Sequence, residues 1–278
     1  MKKLFTAIIL YIAVVPITGK IAAQQLEKLW ETDSTFKVPE STLYYPAEKV
    51  IFVSNIDGQP GEKDGKGSIS KLGADGKTIR EVWATNLSAP KGMAIHQNKL
   101  FVADLDEVVV LDLGSGKVMQ RIPVPGAVFL NDVTVHPDGT VYVSDSRTGK
   151  VHQIKGNTVT TYMENKNGVN GLLVSGDDLY LAVKDTLWRA DKNKNLTRIA
   201  DGIDASSDGI IETSDKDLIV SCWSGIIYYI HKDGSKKVLI DTRNEKSNTA
   251  DIGFDAANNI LYVPTFFKNK VIAYKVSK

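Results

Sequence analysis

Residues 131–145 read Asn131-Asp132-Val133-Thr134-Val135-His136-Pro137-Asp138-Gly139-Thr140-Val141-Tyr142-Val143-Ser144-Asp145. A polar pair opens a short apolar run, Pro137-Asp138-Gly139 turns the chain, and a second run returns. β-Branched and aromatic residues favour a pleated strand, and glycine accepts the positive φ of a tight turn, so the stretch reads as a β-hairpin. What decides the fold is that this unit recurs. The same opening is found at Lys91-Gly92-Met93-Ala94-Ile95, Asn170-Gly171-Leu172-Leu173-Val174, Asp208-Gly209-Ile210-Ile211 and Ala250-Asp251-Ile252-Gly253-Phe254, and first at Glu40-Ser41-Thr42-Leu43-Tyr44.

Successive openings are 51, 40, 39, 38 and 42 residues apart. Second strands are expected at 50–54, 100–104, 141–145, 179–183, 218–221 and 261–265, and outer strands follow, for example 150–154 with 159–163. Short antiparallel strands at a fixed period of this length make propeller blades. The expectation is an all-β, six-bladed β-propeller with four antiparallel strands per blade. A β-sandwich would not require the period. The last unit ends at 271–276 with three strands, and residues 26–31 precede the first unit. They are expected to supply the missing outer strand and close the ring, which hides its edges. The longest spacing marks an insertion at 57–67, a Gly-rich loop expected on the face where the inner strands begin.

The first 23 residues stand apart. Lys2 and Lys3 precede an uncharged apolar run from Leu4 to Ile17, followed by small residues around Ala22 and Ala23. That is the plan of a signal peptide, so 1–23 is expected to be removed and 24–278 to form the propeller. The protein is then periplasmic or secreted, with no membrane attachment after cleavage. No cysteine lies near the cleavage zone to carry a lipid anchor. Charge is nearly balanced at +1, which argues against nucleic acid or an anionic membrane as the main partner. Cys222 is the single cysteine, so stability comes from the core rather than from an internal disulfide. It reads as a buried strand residue.

The residue just before each inner strand is expected at the mouth of the central channel of such a ring. In order these are Glu40, Lys91, Asn131, Asn170, Asp208 and Ala250. Two carboxylates and two carboxamides at one repeat position form a hard oxygen donor set. It suits one divalent metal, Ca²⁺ first, with Mg²⁺, Mn²⁺ or Zn²⁺ left open. Four protein donors leave coordination positions for water and substrate, as metal-assisted hydrolysis requires. Asn and Asp before strands are also ordinary turn formers; their convergence on one axis is what favours the metal.

Pro39-Glu40-Ser41, Asn131-Asp132 with Asp138-Gly139, Asn170-Gly171 and Asp208-Gly209, in this order and spacing, resemble the regucalcin/gluconolactonase family, relatives of paraoxonase and diisopropyl fluorophosphatase. The resemblance implies that Glu40, Asn170 and Asp208 bind the metal and that Asn131 binds it directly or through water or substrate. It also implies hydrolysis of a lactone or related ester, with Asp208 as a base in some members. Two departures matter. Phe129 stands where sugar-lactone members often carry arginine, which makes an apolar substrate as plausible as a sugar lactone. No histidine stands at Lys91 or near Ala250, where relatives place one. Lys91 then acts as base or oxyanion donor if burial beside the cation lowers its pKa; the simpler reading has it snorkel to solvent or pair with a carboxylate.

His96 and His136 are expected at the opposite face and His152 and His231 on outer strands. Asp191-Lys192-Asn193-Lys194-Asn195 imitates an EF-hand loop but lacks the glycine and glutamate, so it reads as a hairpin turn. The expectation is a metal-dependent hydrolase with Asp208 and Lys91 as catalytic residues. Asn131, Phe129, Asn55 and Asp57 are expected against a small ester or lactone substrate. The alternative is a non-catalytic propeller that binds a peptide, glycan or protein partner, since one fold hosts many functions.

Overall fold

The computed structural model describes residues 25–277; residues 1–23, expected to be a signal peptide, lie outside them. Six four-stranded antiparallel sheets surround a central channel. The inner strands are Pro39–Tyr45, Pro90–His96, Leu130–Val135, Val169–Ser175, Ser207–Glu212 and Gly253–Asp255. Helix among the described residues amounts to two single turns of 3-10 type, Arg243–Glu245 and Phe266–Lys268. The core lies between blades. Phe52, Leu100, Val102 and Val109 pack blade one on blade two, and Ile219, Leu261 and Val263 pack blade five on blade six.

The ring closes as the missing strand requires. The strand Gln25–Glu31 pairs antiparallel with Val271–Ser277, with Leu26 opposite Val276 and Glu31 opposite Ile272. Trp30 anchors that strand to blade one: its Nε1 donates to the Ala74 carbonyl at 3.1 Å, and its ring lies 5.9 Å from that of Tyr262. On the inside, blade six meets blade one through a parallel bridge between Ser41 and Asp251. The Asp251 N–H donates to the Glu40 carbonyl at 3.0 Å there. Blade six is thus completed by the first described strand on the outside and tied to blade one on the inside.

One feature of the inner strands goes beyond the expectation. The predicted ring residues are the second residues of five of these strands, not residues before them, and each sits on a β-bulge. Pairing runs Pro39 with Asn55 then Ser41 with Ser54, and Leu130 with Asp145 then Val133 with Val143. Blades two, four and five shift register at the same place, around Lys91, Asn170 and Asp208. A bulge kinks the strand and re-aims a side chain. Here it turns one residue per blade toward the axis.

The bulge also leaves a buried backbone N–H without a ladder partner. In alternate blades a serine of the second strand accepts it: Ser41 N–H bonds Ser54 Oγ, Asp132 N–H bonds Ser144 Oγ, and Gly209 N–H bonds Ser221 Oγ, each at 2.9 Å. All three serines are buried. The glycines after the ring residues are required by close approach. A Cβ on Gly171 would stand 1.9 Å from the Asp208 carbonyl oxygen, and one on Gly209 would stand 2.2 Å from Asp251 Oδ1.

Candidate functional site

A cavity of about 370 Å³ opens where the inner strands begin. Glu40, Lys91, Asn131, Asn170 and Asp208 form its floor, and Ile56, Pro60, Phe129, Trp223, Phe266 and Phe267 form its wall. Six of the eight residues expected in the site therefore meet there. Asn55 and Asp57 do not: they line a separate cavity of about 190 Å³ with Lys37 and Ser68. Asn55 points back into blade one, its Nδ2 donating to Ser70 Oγ at 2.9 Å, and Asp57 pairs with Lys37 at 3.0 Å. The bulge opposite Asn55 explains this, because it directs Glu40 inward while its partner stays in the ladder. Ala250 is buried beneath Phe266 and contributes no polar atom.

The floor is a set of buried acceptors short of donors. Glu40 Oε2 and Asn170 Oδ1 are buried with no hydrogen-bond partner. Asn170 Nδ2 donates to Asp208 Oδ1 at 3.0 Å, which fixes the amide so that its oxygen faces the channel. Asn131 is held likewise: its Nδ2 donates to Ser146 Oγ at 3.1 Å, and that hydroxyl donates to the Val169 carbonyl at 2.7 Å. An unpaired buried acceptor costs about 1–3 kcal/mol, so such a cluster calls for a cation or water. The donor set fits a hard divalent ion. Among the described residues no three His, Cys, Asp or Glu side chains gather as a metal site; this ring has two carboxylates and two carboxamides.

Electrostatics agree with the geometry. Burial raises Glu40 well above the usual carboxylate range, and the Asp208 charge adds to it while Lys91 opposes. Burial also raises Asp208, followed by the charge of Asp251. Behind the ring lie two further buried carboxylates. Asp132 accepts the Leu172 N–H at 2.6 Å, and Asp251 accepts the Ser41 hydroxyl. So much buried negative charge is stable only with a compensating cation or bound protons.

Lys91 departs from the simpler expectation. It does not snorkel: it is 1% exposed, its Nζ donates to the Ala89 carbonyl at 2.9 Å and sits 4.4 Å from the Phe129 ring centre. Burial pushes it down to about 8, against the pull of Glu40. Asp104 shapes the turn that carries Lys91, accepting the Ser88 and Ala89 N–H groups at 2.9 and 2.7 Å. Asp145 does the same for Phe129, accepting the Val128 and Phe129 N–H groups at 2.8 and 3.2 Å.

Of the aromatic wall only Phe129 is expected from the sequence, though the rest has a signal. Ile56, Ser146 and Trp223 directly follow the second strands of their blades, and Phe266 follows one residue later, so they form a repeat position of their own. Phe266 and Val38, beside the mouth, adopt φ of 49° and 53°. Bulky residues are held in that left-handed region only by their surroundings. The inserted loop borders the cavity as expected: Pro60 lines it, and Gly61 lies over Phe129 and Arg147. No histidine lines it. His96 sits at the far end of its inner strand, and His231 borders a larger cleft of about 450 Å³ with Ser175, Glu212 and Lys216 at that end. There Glu212 is already taken by Lys216 and Ser175, so the cleft lacks the unpaired acceptors of the channel. The Asp191–Asn195 segment is a hairpin turn, with Asp191 Oδ1 accepting the Asn193 and Asn195 N–H groups. Cys222 is buried in its strand.

The chain is thus an all-β six-bladed propeller with a buried oxygen ring at one channel mouth. No protein-family model matches it, and no curated protein aligns with it by sequence. Its fold is shared with a gluconolactonase from Xanthomonas campestris, at a TM-score of 0.72 and 16% identity over 92% of this chain and 91% of that one. It is also shared with a streptogramin B lyase, at 0.66 and 12% identity over 92% and 98% of the chains. A virginiamycin B lyase from Staphylococcus aureus gives 0.64 and 12% identity over 92% and 100%. The fold likeness to a gluconolactonase agrees with the family resemblance read from the motifs.

Proposed function

We propose that this protein is a metal-dependent hydrolase of a lactone or related ester. The observation that carries the reading is the pair of buried, unpartnered acceptors, Glu40 Oε2 and Asn170 Oδ1, beside Asp208 in an open cavity. Glu40, Asn131, Asn170 and Asp208 are the residues to hold the ion, Ca²⁺ first. When bound it supplies Lewis-acid polarisation of the ester carbonyl. The chain's own residues do the rest. Asn170 and Asn131, each tied through its amide nitrogen, keep their oxygens from rotating away. Phe129 and the aromatic wall exclude water from the floor. Lys91, pushed down to about 8, exchanges a proton near neutral pH and is the group to protonate the departing alkoxide as water adds to the acyl carbon and its C–O bond breaks. Asp208 is the carboxylate to accept the proton of that water. A gluconolactonase on the same fold supports an enzymatic reading, and the basic, apolar first 23 residues support export to the periplasm or beyond.

The test is hydrolysis of a lactone and aryl-ester panel by metal-free protein, with and without added Ca²⁺, beside metal analysis of the purified protein. Calcium-dependent turnover abolished by Glu40→Gln is the expected result. Metal binding without turnover of any substrate would leave the second reading, a non-catalytic binder, which the exposure of Trp223 and Phe267 favours.

A further inference from the structure

The wall of the cavity is as informative as its floor. Trp223 and Phe267 are 39% and 62% exposed, unusual for large aromatics on a surface. They are not scattered. The rings of Trp223 and Phe266 meet edge to face at 5.5 Å, Trp223 and Phe267 at 6.0 Å, and Phe266 and Phe267 at 4.7 Å. All three line the cavity, with Ile56, Pro60 and Phe129 completing the wall. That wall holds no hydroxyl, amide or guanidinium; its one side-chain polar group is the Trp223 indole N–H, a single donor for the several hydroxyl groups of a sugar. The other polar groups are on the floor, and most are bonded or committed there: Asn131 to Ser146, Asn170 to Asp208 and Lys91 to Ala89. Separately, Phe129 already has cations against its ring, Lys91 at 4.4 Å and Arg147 at 4.9 Å. The free aromatic surface is therefore on the blade-five and blade-six side.

We infer that the substrate carries an aromatic ring, which stacks in the Trp223–Phe266–Phe267 corner while its ester or lactone group meets the floor, and that sugar lactones are poor substrates. The inference rests on the proposed hydrolase and names the class of its substrate. A cavity of about 370 Å³ accommodates one ring and a small lactone together. A polyhydroxylated lactone of similar size would lose the water on its hydroxyls against this wall and gain at most the Trp223 N–H in return. An aromatic ring gains the apolar contact and the edge-to-face geometry that aromatic groups prefer.

Binding is measured first, so that turnover is not required. Calcium-loaded full chain is titrated calorimetrically with a phenyl-substituted lactam, which mimics a lactone without hydrolysing, and with gluconolactam. The phenyl lactam should bind roughly thirtyfold more tightly, the value of burying one ring. Trp223→Ala and Phe267→Ala, checked for folding by melting, should each cut that preference by about tenfold, and Trp223→Phe should keep most of it. The kcat/KM ratio for the phenyl lactone over gluconolactone should follow the same order. Equal or tighter binding of gluconolactam, binding of neither ligand, or a preference untouched by both alanine variants would overturn the inference. Phenyl-lactam binding with no hydrolysis of any lactone would sink the hydrolase instead and leave the aromatic site standing.

Discussion

Asn170 Nδ2 donates to Asp208 Oδ1 at 3.0 Å, and the amide oxygen left over, Asn170 Oδ1, is buried without a partner. One hydrogen bond thus joins two adjacent blades, fixes the amide's orientation, and presents the acceptor to the channel. The two residues are 38 apart in sequence, one blade repeat, and only the ring brings them together.

That pairing makes the metal site testable by stability. Ligand binding to the folded form alone adds RT ln(1 + [L]/Kd), about 2.7 kcal/mol at a hundred times Kd. For a domain of this size, calcium should raise the melting temperature of metal-free wild type by about 5–10 °C. Asp208→Asn and Glu40→Gln keep shape but remove charge, so the shift should vanish; Asn131→Ala should keep part of it. Thermal melts of the metal-free proteins with and without Ca²⁺ decide this. No shift in wild type reduces the ring to turn formers.

The buried carboxylates set a pH dependence with a definite sign. Burial raises Asp251 to about 6, and Glu40 and Asp208 go up as well. A carboxyl whose folded pKa is raised holds its proton more tightly in the native state, so it lowers stability as pH climbs from the unfolded value through the folded one. Metal-free protein should therefore lose stability as pH climbs from about 4, the unfolded carboxylate range, through about 6 for Asp251, with Glu40 and Asp208 adding to the loss, and the gain from calcium should grow over the same window. Melts of both forms across that range test it, and a calcium shift that is flat with pH would contradict it.

Lys91 offers a separation of binding from chemistry. It is a buried cation on the floor of the site, and the charge of Glu40 acts on it. Lys91→Met removes the repulsion of a second cation, so calcium affinity should rise by on the order of tenfold. Turnover should fall by about a hundredfold if the ammonium protonates the leaving group. Calorimetry and kcat are measured on the same variant. Unchanged kcat with tighter calcium removes Lys91 from the chemistry.

Ser144 touches no substrate, yet its loss should be felt at the floor. Its Oγ accepts the Asp132 N–H at 2.9 Å and so stabilises the bulge that turns Asn131 inward. Ser144→Ala leaves a buried N–H unpaired, a cost of about 1–3 kcal/mol. The melt should drop by about 5 °C, and calcium affinity should weaken by about tenfold because Asn131 is no longer held. A variant with the lower melt but wild-type calcium affinity would show that the bulge survives without its serine.

The inserted loop should control access rather than folding. Pro60 lines the cavity and Gly61 lies over Phe129, while the loop residues between 57 and 67 are mostly exposed. Replacing the loop by a two-residue turn should change KM severalfold and leave the melting temperature within about 2 °C, since exposed loops carry little of the core. Steady-state kinetics over several esters test this; identical KM values across the panel would make the loop solvated filler.

Much of this was open to reading from the chain. The repeat of polar residue, apolar strand and turn is local, and strands of period two with tight turns do not depend on distant contacts for their identity. Six blades and the closing strand followed from counting them, and the order Glu40, Asn131, Asn170, Asp208 followed from one repeat position. The serines Ser54, Ser144 and Ser221 stood in plain view in Val-Ser-x triplets, but nothing local says that a bulge faces them. Asn55 shows the limit from the other side: the end of a second strand looked like channel, and its side chain lies in blade one against Ser70.

The strands, their number and the residue each blade offers to the axis can be read from the chain, because they rest on local periodicity and on a repeat that geometry turns into a circle. Which way side chains point at the mouth is settled in three dimensions. The bulges arise between two strands of one blade, and the burial of Lys91 under Phe129 and the meeting of Trp223 with Phe266 and Phe267 arise where two blades touch. A side chain's direction there is set by the packing of residues about forty positions away, which no local pattern encodes.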